Sequence, residues 1–353
     1  MFKALKKFFS WYSPLTLFTL VLLSGVVSSA VVTYTSSYQM QSFLWLQQLM
    51  FYKDDEGNPC DNQFEGYGRL YKHGCFVNPV SVVQSVKYEI AKAQKGLELT
   101  AQEKQRLFKA VNFLKEWAEP TTFKDYNVLL APYQFSWDYY GLKSGWFSGM
   151  AQGHIIEALV AAYIVDNDRK FIEAANKFAN AFYMSVEEGG VTVWTEHGPW
   201  FEEYAQKGIK PSYALNGHIF AIEGLHRLVE YSPQYKDLIF AAVHTTERKM
   251  EYFNTGWWSK YDLRGTLANQ KYHHIHIRQL HWLGIEFYND GLKGYGQSFL
   301  WQQLNPLATI LHLATDPYRF LVFLFFLNFM FILLLLVLLV PPLKIAYKTM
   351  GKS

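Results

Sequence analysis

Gly153-His154-Ile155-Ile156-Glu157-Ala158-Leu159 returns in looser form as Gly217-His218-Ile219-Phe220, with Glu223-Gly224-Leu225 behind it. Each copy lies in a longer stretch whose apolar residues recur at helical spacing, roughly residues 148–165 and 213–230. Such echoes arise when helix pairs stack or close into a ring, because each pair buries its apolar face only against the next. Working outward, residues 81–94 are amphipathic. Thr100-Ala101-Gln102-Glu103 is a capping box that opens a helix to about Trp117. Residues 169–185, 234–253 and 273–288 also read as helices. Residues 120–143 read as loop, and 187–210, with Gly189-Gly190 and short β-branched runs, as a turn or hairpin. The expected fold is mainly α: an (α/α) toroid-like domain over residues 78–316, flanked by two transmembrane helices. Loops at one end of such a ring would enclose a cleft for an extended polymer.

The flanks are apolar. Residues 15–34 carry no charge, and residues 320–340 have only Asn328 as a strongly polar member. About twenty apolar residues span a bilayer core. Ser28 and Ala30 leave open a cleaved signal peptide for the first segment. Lys3, Lys6 and Lys7 precede it, and Lys344, Lys348 and Lys352 follow the second. Positive flanks stay cytoplasmic. The expected topology is therefore two-pass, with 1–14 and 341–353 cytoplasmic and the rest exported. Trp11, Tyr12, Tyr34 and Tyr318 fall where interfacial aromatics belong.

All 30 acidic residues lie between 36 and 316. Seven of the 33 Lys+Arg lie outside that stretch, so it holds 26 positive charges against 30, a net −4. Nothing in this balance points to nucleic acid, and it argues against a broadly basic groove for a heavily charged polyanion. Residues 35–77 look irregular and contain Cys60 and Cys75, which an oxidising compartment permits to pair. The exported part has no Asn-x-Ser/Thr sequon, which weighs toward a bacterial periplasm over a Golgi lumen. Gln41-Ser42-Phe43-Leu44-Trp45 matches Gln297-Ser298-Phe299-Leu300-Trp301. Both lie near a membrane segment and read as interfacial aromatic packing.

Three clusters could carry chemistry. In Gly145-Trp146-Phe147-Ser148-Gly149-Met150-Ala151-Gln152-Gly153, Gly149 and Gly153 permit close approach, by a ligand or by another helix, and Gln152 could donate to a sugar hydroxyl. In Phe201-Glu202-Glu203-Tyr204, followed by Tyr213-Ala214-Leu215-Asn216-Gly217, the carboxylates are a solvated pair or a general base. Trp194, Trp200, Phe201 and Tyr204 favour the base, since aromatic surroundings raise a carboxyl pKa. The third cluster is Tyr261-Asp262-Leu263-Arg264 with Tyr272-His273-His274-Ile275-His276. Its three histidines do not share one helix face and match no zinc spacing, so no metal is expected. Tyrosines, histidine and an arginine suit an anionic sugar, whose carboxylate a guanidinium grips through two hydrogen bonds.

On these stretches the chain resembles the D-glucuronyl C5-epimerase family, over the family's C-terminal helical domain, here about residues 78–290. Asn78-Pro79-Val80-Ser81-Val82-Val83-Gln84 resembles that domain's start. The resemblance implies a cofactor-free enzyme that converts glucuronate to iduronate within an acidic polysaccharide, and it allows a homodimer. It places family roles on Glu203, Tyr261 and Tyr272, with Arg264 near the substrate carboxylate. Ala205 stands where proline is usual, Gly265 for a histidine and Arg278 for an asparagine. The β-rich region of the animal enzymes is not evident, and the second membrane segment lies outside the family pattern.

The implied reaction removes the C5 proton next to a carboxylate. Arg264, assisted by Asn216 or His276, would stabilise the developing charge, while Tyr204 and Gln152 contact the sugar. Glu203 and Tyr272 would serve opposite faces of the ring, and Tyr261 would support either. Arg264 would lower a tyrosine pKa enough for it to act as base. Three rivals remain open: a uronate lyase with the same first step, an inverting hydrolase needing two flanking carboxylates, and a membrane-tethered glycan-binding protein without turnover.

Overall fold

The computed structural model describes residues 12–48, 60, 64, 75–315 and 325–339. The fold is mainly helical. Helix α1 (Pro14–Gln48) is followed by α2 (Pro79–Gln84), α3 (Lys87–Gln94), α4 (Ala101–Trp117), α5 (Gly149–Asp166), α6 (Lys170–Ala179), α7 (Leu215–Val229), α8 (Lys236–Phe253), α9 (Gln270–Glu286), α10 (Asp290–Leu304) and α11 (Pro306–Thr315). A last apolar helix, α12, spans Phe325–Leu339. Two antiparallel hairpins interrupt the series. Strand β1 (Glu119–Phe123) pairs with β2 (Tyr126–Leu130), and β3 (Thr192–Thr195) with β4 (Gly198–Phe201).

Local chemistry accounts for the boundaries. Thr100 caps α4 in the reciprocal arrangement with Glu103. Ser148 caps α5 through Ala151 N–H, and Asn269 caps α9 through Tyr272 N–H. Asn167, in the left-handed region at φ 56°, ends α5.

The sequence echo marks a helix crossing. Helix α5 is buried along most of its length and packs on α7. A methyl on Gly153 would lie 2.7 Å from Ala221 Cα, and one on Gly224 2.6 Å from Gly153 Cα. The glycines are there because two backbones meet, not to admit a ligand.

Several boundaries differ from expectation. The first helix does not stop at residue 34 but continues to Gln48, since no Gly or Pro intervenes, so residues 35–48 are helical. Residues 81–94 form two helices, broken at Ser85 and Val86. The stretch from 120 contains the β1–β2 hairpin, where Asn127 and Val128 pair with Thr122 and Thr121. Helix α6 ends at Ala179 and passes into a single 3₁₀ turn. Helices α10 and α11 fall in a stretch, 290–315, for which the sequence reading names no element.

Among the described residues one helix is long and apolar enough to cross a membrane, at Pro14–Val31, and α12 is shorter. Cys60 and Cys75 are joined by a disulfide. The side chains of 41–45 and the tail 341–353 lie outside the described residues. Of the second aromatic copy, Phe299 is buried and Trp301 is exposed.

Candidate active site

The N-terminal ends of α5, α7 and α9 meet the same two loops. Gly149 N–H donates to the Glu202 carbonyl at 2.8 Å, and Leu215 N–H donates to the Tyr261 carbonyl at 3.0 Å. The Tyr261 ring stands edge-on to Tyr272, from the first turn of α9, with centroids 4.8 Å apart. Strand β4 and the 254–269 loop thus deliver the second and third sequence clusters to one end of the helix assembly.

The adjacent glutamates have separate tasks. Glu202 is buried and accepts from Ser212 Oγ, from Tyr213 N–H at 3.0 Å and from Tyr204 N–H at 3.2 Å. It clamps the 212–213 loop to β4, with Tyr213 held at φ 55°. Glu203 is buried but points to the other side. Its Oε1 accepts from the Tyr261 hydroxyl at 3.1 Å, and its Oε2 has no partner. Burial pushes its carboxyl up to about 7, against the Tyr204 and Tyr261 hydroxyls that pull it down, with Glu202 and Asp262 adding to the rise.

Three tyrosines line this carboxyl. The Tyr204 and Tyr261 hydroxyls lie 2.9 Å apart, and Tyr204 stacks on Tyr140 with centroids 4.1 Å apart. Burial first, then the charge of Glu203, holds the Tyr204 and Tyr261 hydroxyls well above the ordinary tyrosine range. Both are therefore donors at neutral pH. For Tyr261 the expected lowering of a tyrosine pKa by Arg264 is not met, because burial and then the Glu203 charge raise it.

Arg264 stands apart from this group. Its guanidinium donates to the carbonyls of Lys210 and Tyr140, the latter at 3.3 Å, and lies 5.1 Å from the Tyr140 ring centroid. Tyr140 in turn donates to buried Asp262 at 2.7 Å. Asp262 also accepts from Thr266 N–H and Oγ1 and from Arg264 N–H, so it organises this loop.

Two expected sugar contacts have other duties. The Gln152 amide is buried; it accepts from Ala131 N–H and donates to the carbonyls of Leu129 and Phe178. It ties β2 to α5 and has no capacity left for a substrate. His276 has no N–H left to donate to a substrate. His273 Nε2 faces the Phe299 carbonyl at 3.0 Å, so that nitrogen carries the proton and Nδ1 accepts. Ser259 Oγ must then donate to His273 Nδ1 at 2.7 Å, and His276 Nδ1 donates to Ser259 Oγ at 2.9 Å. Burial holds His276 neutral, with its pKa down to about 3, so its buried Nε2 is a bare acceptor. It cannot stabilise an enolate. Asn216 is buried beside Gly217 with both side-chain polar atoms unpartnered, so unlike Gln152 and His276 it has hydrogen bonds to spare.

No three His, Cys, Asp or Glu side chains converge on a metal position among the described residues. His274 is exposed while His273 and His276 are buried.

Sequence reasoning missed three contributors. His218 accepts Phe201 N–H at 2.8 Å and stacks on Trp200 with centroids 3.9 Å apart, which fixes β4 just before the glutamates. Its Gly-His echo pointed at the repeat rather than at this bond. Trp194, expected to enclose the carboxylates, is exposed instead. Lys271 is half-buried, with its ammonium 5.4 Å from the Tyr272 ring centroid. Burial, and then Lys87, lowers its pKa, which marks a cation without an anionic neighbour. Nothing in a lone Lys next to a Tyr signals this. The third is Gly217. A methyl there would lie 2.6 Å from Glu203 Cβ and 2.8 Å from its Cδ. Alanine favours a helix over glycine by about 1 kcal/mol. Gly217→Ala should therefore keep its circular dichroism but displace Glu203, lowering stability by about 1–3 kcal/mol through overpacking and turnover about a hundredfold, the cost of an ångström's misplacement. Unchanged turnover would show that Glu203 need not sit there.

Residues 124–299 match the family described as D-glucuronyl C5-epimerase C-terminus. The chain is similar to a D-glucuronyl C5-epimerase of Caenorhabditis elegans, 32% identical over 167 residues, covering 41% of this chain and 27% of that protein. It is also similar to an uncharacterized protein of Methanocaldococcus jannaschii, 29% identical over 175 residues, covering 48% of this chain and 56% of that protein. Both similarities span less than two thirds of the relative's length.

Proposed function

Through residues 124–299 the chain belongs to the D-glucuronyl C5-epimerase C-terminus family, and from that membership we infer that it inverts C5 of uronate residues in an acidic polysaccharide. The observation that carries this reading is the Glu203 carboxyl: buried, near neutrality in pKa, and bonded to Tyr261 within reach of Tyr272's ring. We read the α3–α10 hairpins as turns of an (α/α) toroid whose loop end holds the polymer.

The chemistry follows from charge. Breaking C5–H sends its electron pair into the C6 carboxylate, giving a doubly charged enolate. Glu203 takes that proton on one face, and Tyr272 returns one to C5 on the other. The Tyr204 and Tyr261 hydroxyls, kept protonated, form a relay in which Tyr204 donates to Tyr261 and Tyr261 to Glu203 Oε1, leaving Oε2 to take the C5 proton. Two cations flank the site for the carboxylate. Lys271 is already beside Tyr272, and Arg264 retains free N–H groups at the rim beyond Tyr140. Asn216 is the further hydrogen-bonding residue beneath Glu203.

The equilibrium between two ionised epimers does not depend on pH, so both directions must share one pH profile. Each needs the Glu203–Tyr272 pair to hold a single proton. Below about pH 7 both groups are protonated and neither accepts. Accordingly kcat/KM for both epimers should rise together through about pH 7, the value to which burial lifts Glu203. A profile flat from about pH 5.5 to 8.5 would remove Glu203 from the chemistry.

The primary test is proton NMR of uronate polymers, heparosan-like and chondroitin-like, with the protein in deuterated water. Exchange at C5 with appearance of the other epimer supports the reading. An unsaturated, ultraviolet-absorbing product would make it a lyase. Binding with no exchange would make it a glycan-binding protein.

We place the catalytic part on the exported side of a membrane, with α1 and α12 as a two-pass anchor and both ends cytoplasmic. The Tyr12 hydroxyl donates to the Val337 carbonyl, so α1 starts beside the end of α12, in keeping with opposed spans.

A further inference from the structure

Helix α11 wears two unlike faces. Ala308, Thr309 and His312 are buried. Leu307 and Leu311, one turn apart, are 77% and 50% exposed, and Trp301 at the end of α10 is 65% exposed. Single exposed leucines are ordinary on a soluble surface, but a helix whose described outward residues, Leu307, Ile310 and Leu311, are all apolar is not. What covers it is indicated by its neighbours. Helix α11 packs on α1, and Pro306 fits so closely over Gly25 that a methyl there would lie 2.7 Å from its ring. Gly25 lies within Pro14–Val31, whose mean hydropathy is 1.9, and Leu15, Phe18 and Leu22 of that stretch are also exposed. The apolar face of α11 is continuous with the side of the helix apolar enough to enter a bilayer.

The buried face of α11 leads to the catalytic residues. His312 stacks on Trp258 at 4.4 Å between centroids, and Trp258 stacks on His273 at 3.9 Å. The next residue, Ser259, bonds both His273 and His276, and Tyr261 follows two residues later. Two ring contacts and one short loop therefore separate α11 from Tyr261 and from the first turns of α9.

We propose that α11 lies in the bilayer interface, with Leu307, Leu311 and Trp301 against lipid, and that it holds the cleft at the membrane surface to act on a uronate glycan presented there. An in-plane helix with one apolar face is a known form of membrane contact, and tryptophan favours that depth. The docking stands on the surface alone; the glycan clause rests on the epimerase reading.

The chain has two cysteines, both in the disulfide, so one added cysteine can be labelled uniquely. The full-length protein is reconstituted in phosphatidylcholine–phosphatidylglycerol vesicles with an environment-sensitive fluorophore on Leu311→Cys. The control is Phe240→Cys, an exposed site in α8 far from the loop end. The expected result is blue-shifted emission at 311, quenched by spin-labelled lipid and spared by aqueous iodide, with the opposite behaviour at 240. Iodide quenching at 311 without lipid quenching overturns the docking. So does protection that persists in detergent with energy transfer between labelled copies, which would make the face a contact between two chains. In the same vesicles, C5 exchange should be faster on a lipid-tethered uronate glycan than on a free one, and Leu307→Glu/Leu311→Glu should erase that preference. Equal rates on both glycans overturn the surface-substrate clause. Loss of exchange on both, with the label at 311 still in lipid, refutes the epimerase reading and leaves the docking intact.

Discussion

Glu203→Gln should leave a folded protein that inverts C5 about a thousandfold more slowly, within the range a positioned general base contributes. The substitution keeps the shape of the side chain and can still accept from Tyr261, so position is preserved and only proton affinity is lost. Stability should not fall. Glu203's native pKa lies above the ordinary carboxyl value, so the folded state holds the proton more tightly than the unfolded chain. The resulting penalty on the native state grows as pH rises from the carboxyl range and is complete above about pH 7. Removing the charge relieves it, and the melting temperature of Glu203→Gln above that pH should equal or exceed that of the parent. Its neighbour supplies the contrast. Glu202 accepts three hydrogen bonds, so Glu202→Gln turns an amide N–H₂ toward buried donors and should cost about 1–3 kcal/mol of stability. On our proposal one of two adjacent glutamates governs turnover and the other governs folding. Glu203→Gln with normal turnover, or Glu202→Gln with normal stability, would invert that division.

Much of this division was hidden in the sequence. Periodicity located α4 to α9, because amphipathic helices repeat whatever they pack against, and Thr100 and Glu103 marked a cap that needs only local contacts. The second and third polar clusters meet at one end of the helices, where Tyr261 bonds Glu203 and Leu215 bonds Tyr261. What could not be read was direction. Glu202 and Glu203 are adjacent, and which one turns inward depends on Ser212 and Tyr213, ten and eleven residues away. Gln152 looked available because its partners, Leu129, Ala131 and Phe178, are backbone groups with no signature. His276 looked like a donor because its tautomer is set through Ser259 and His273 by a carbonyl at Phe299. Arg264 matched a motif, yet its guanidinium is occupied by carbonyls of Tyr140 and Lys210 that no motif records. Identity travels well along a chain, whereas the protonation and orientation of a side chain belong to its neighbours in space.

Tyr272→Phe separates the two halves of the inversion. Tyr261 donates directly to Glu203, so these two act from the same side. Tyr272 meets Tyr261 edge-on and comes from α9, and on our proposal its hydroxyl serves the opposite face. Without it, Glu203 can still remove the C5 proton from the epimer that faces it, exchange with solvent and return a deuteron to the same face. That epimer should therefore incorporate deuterium with retention, while inversion falls about a hundredfold or more, as for loss of a general acid. The other epimer should be silent, because its C5–H faces the missing phenol. Glu203→Gln should show the mirror pattern, with residual exchange confined to the epimer that Tyr272 serves. Proton NMR of each epimer in deuterated water distinguishes the two, and the ring of phenylalanine preserves the packing on Tyr261, so a general loss of structure would not reproduce the asymmetry. If Tyr272→Phe silences both epimers equally, the phenol acts on the shared enolate. If it silences neither, the second proton comes from elsewhere, and Tyr261 would have to serve both faces, which its bond to Glu203 opposes.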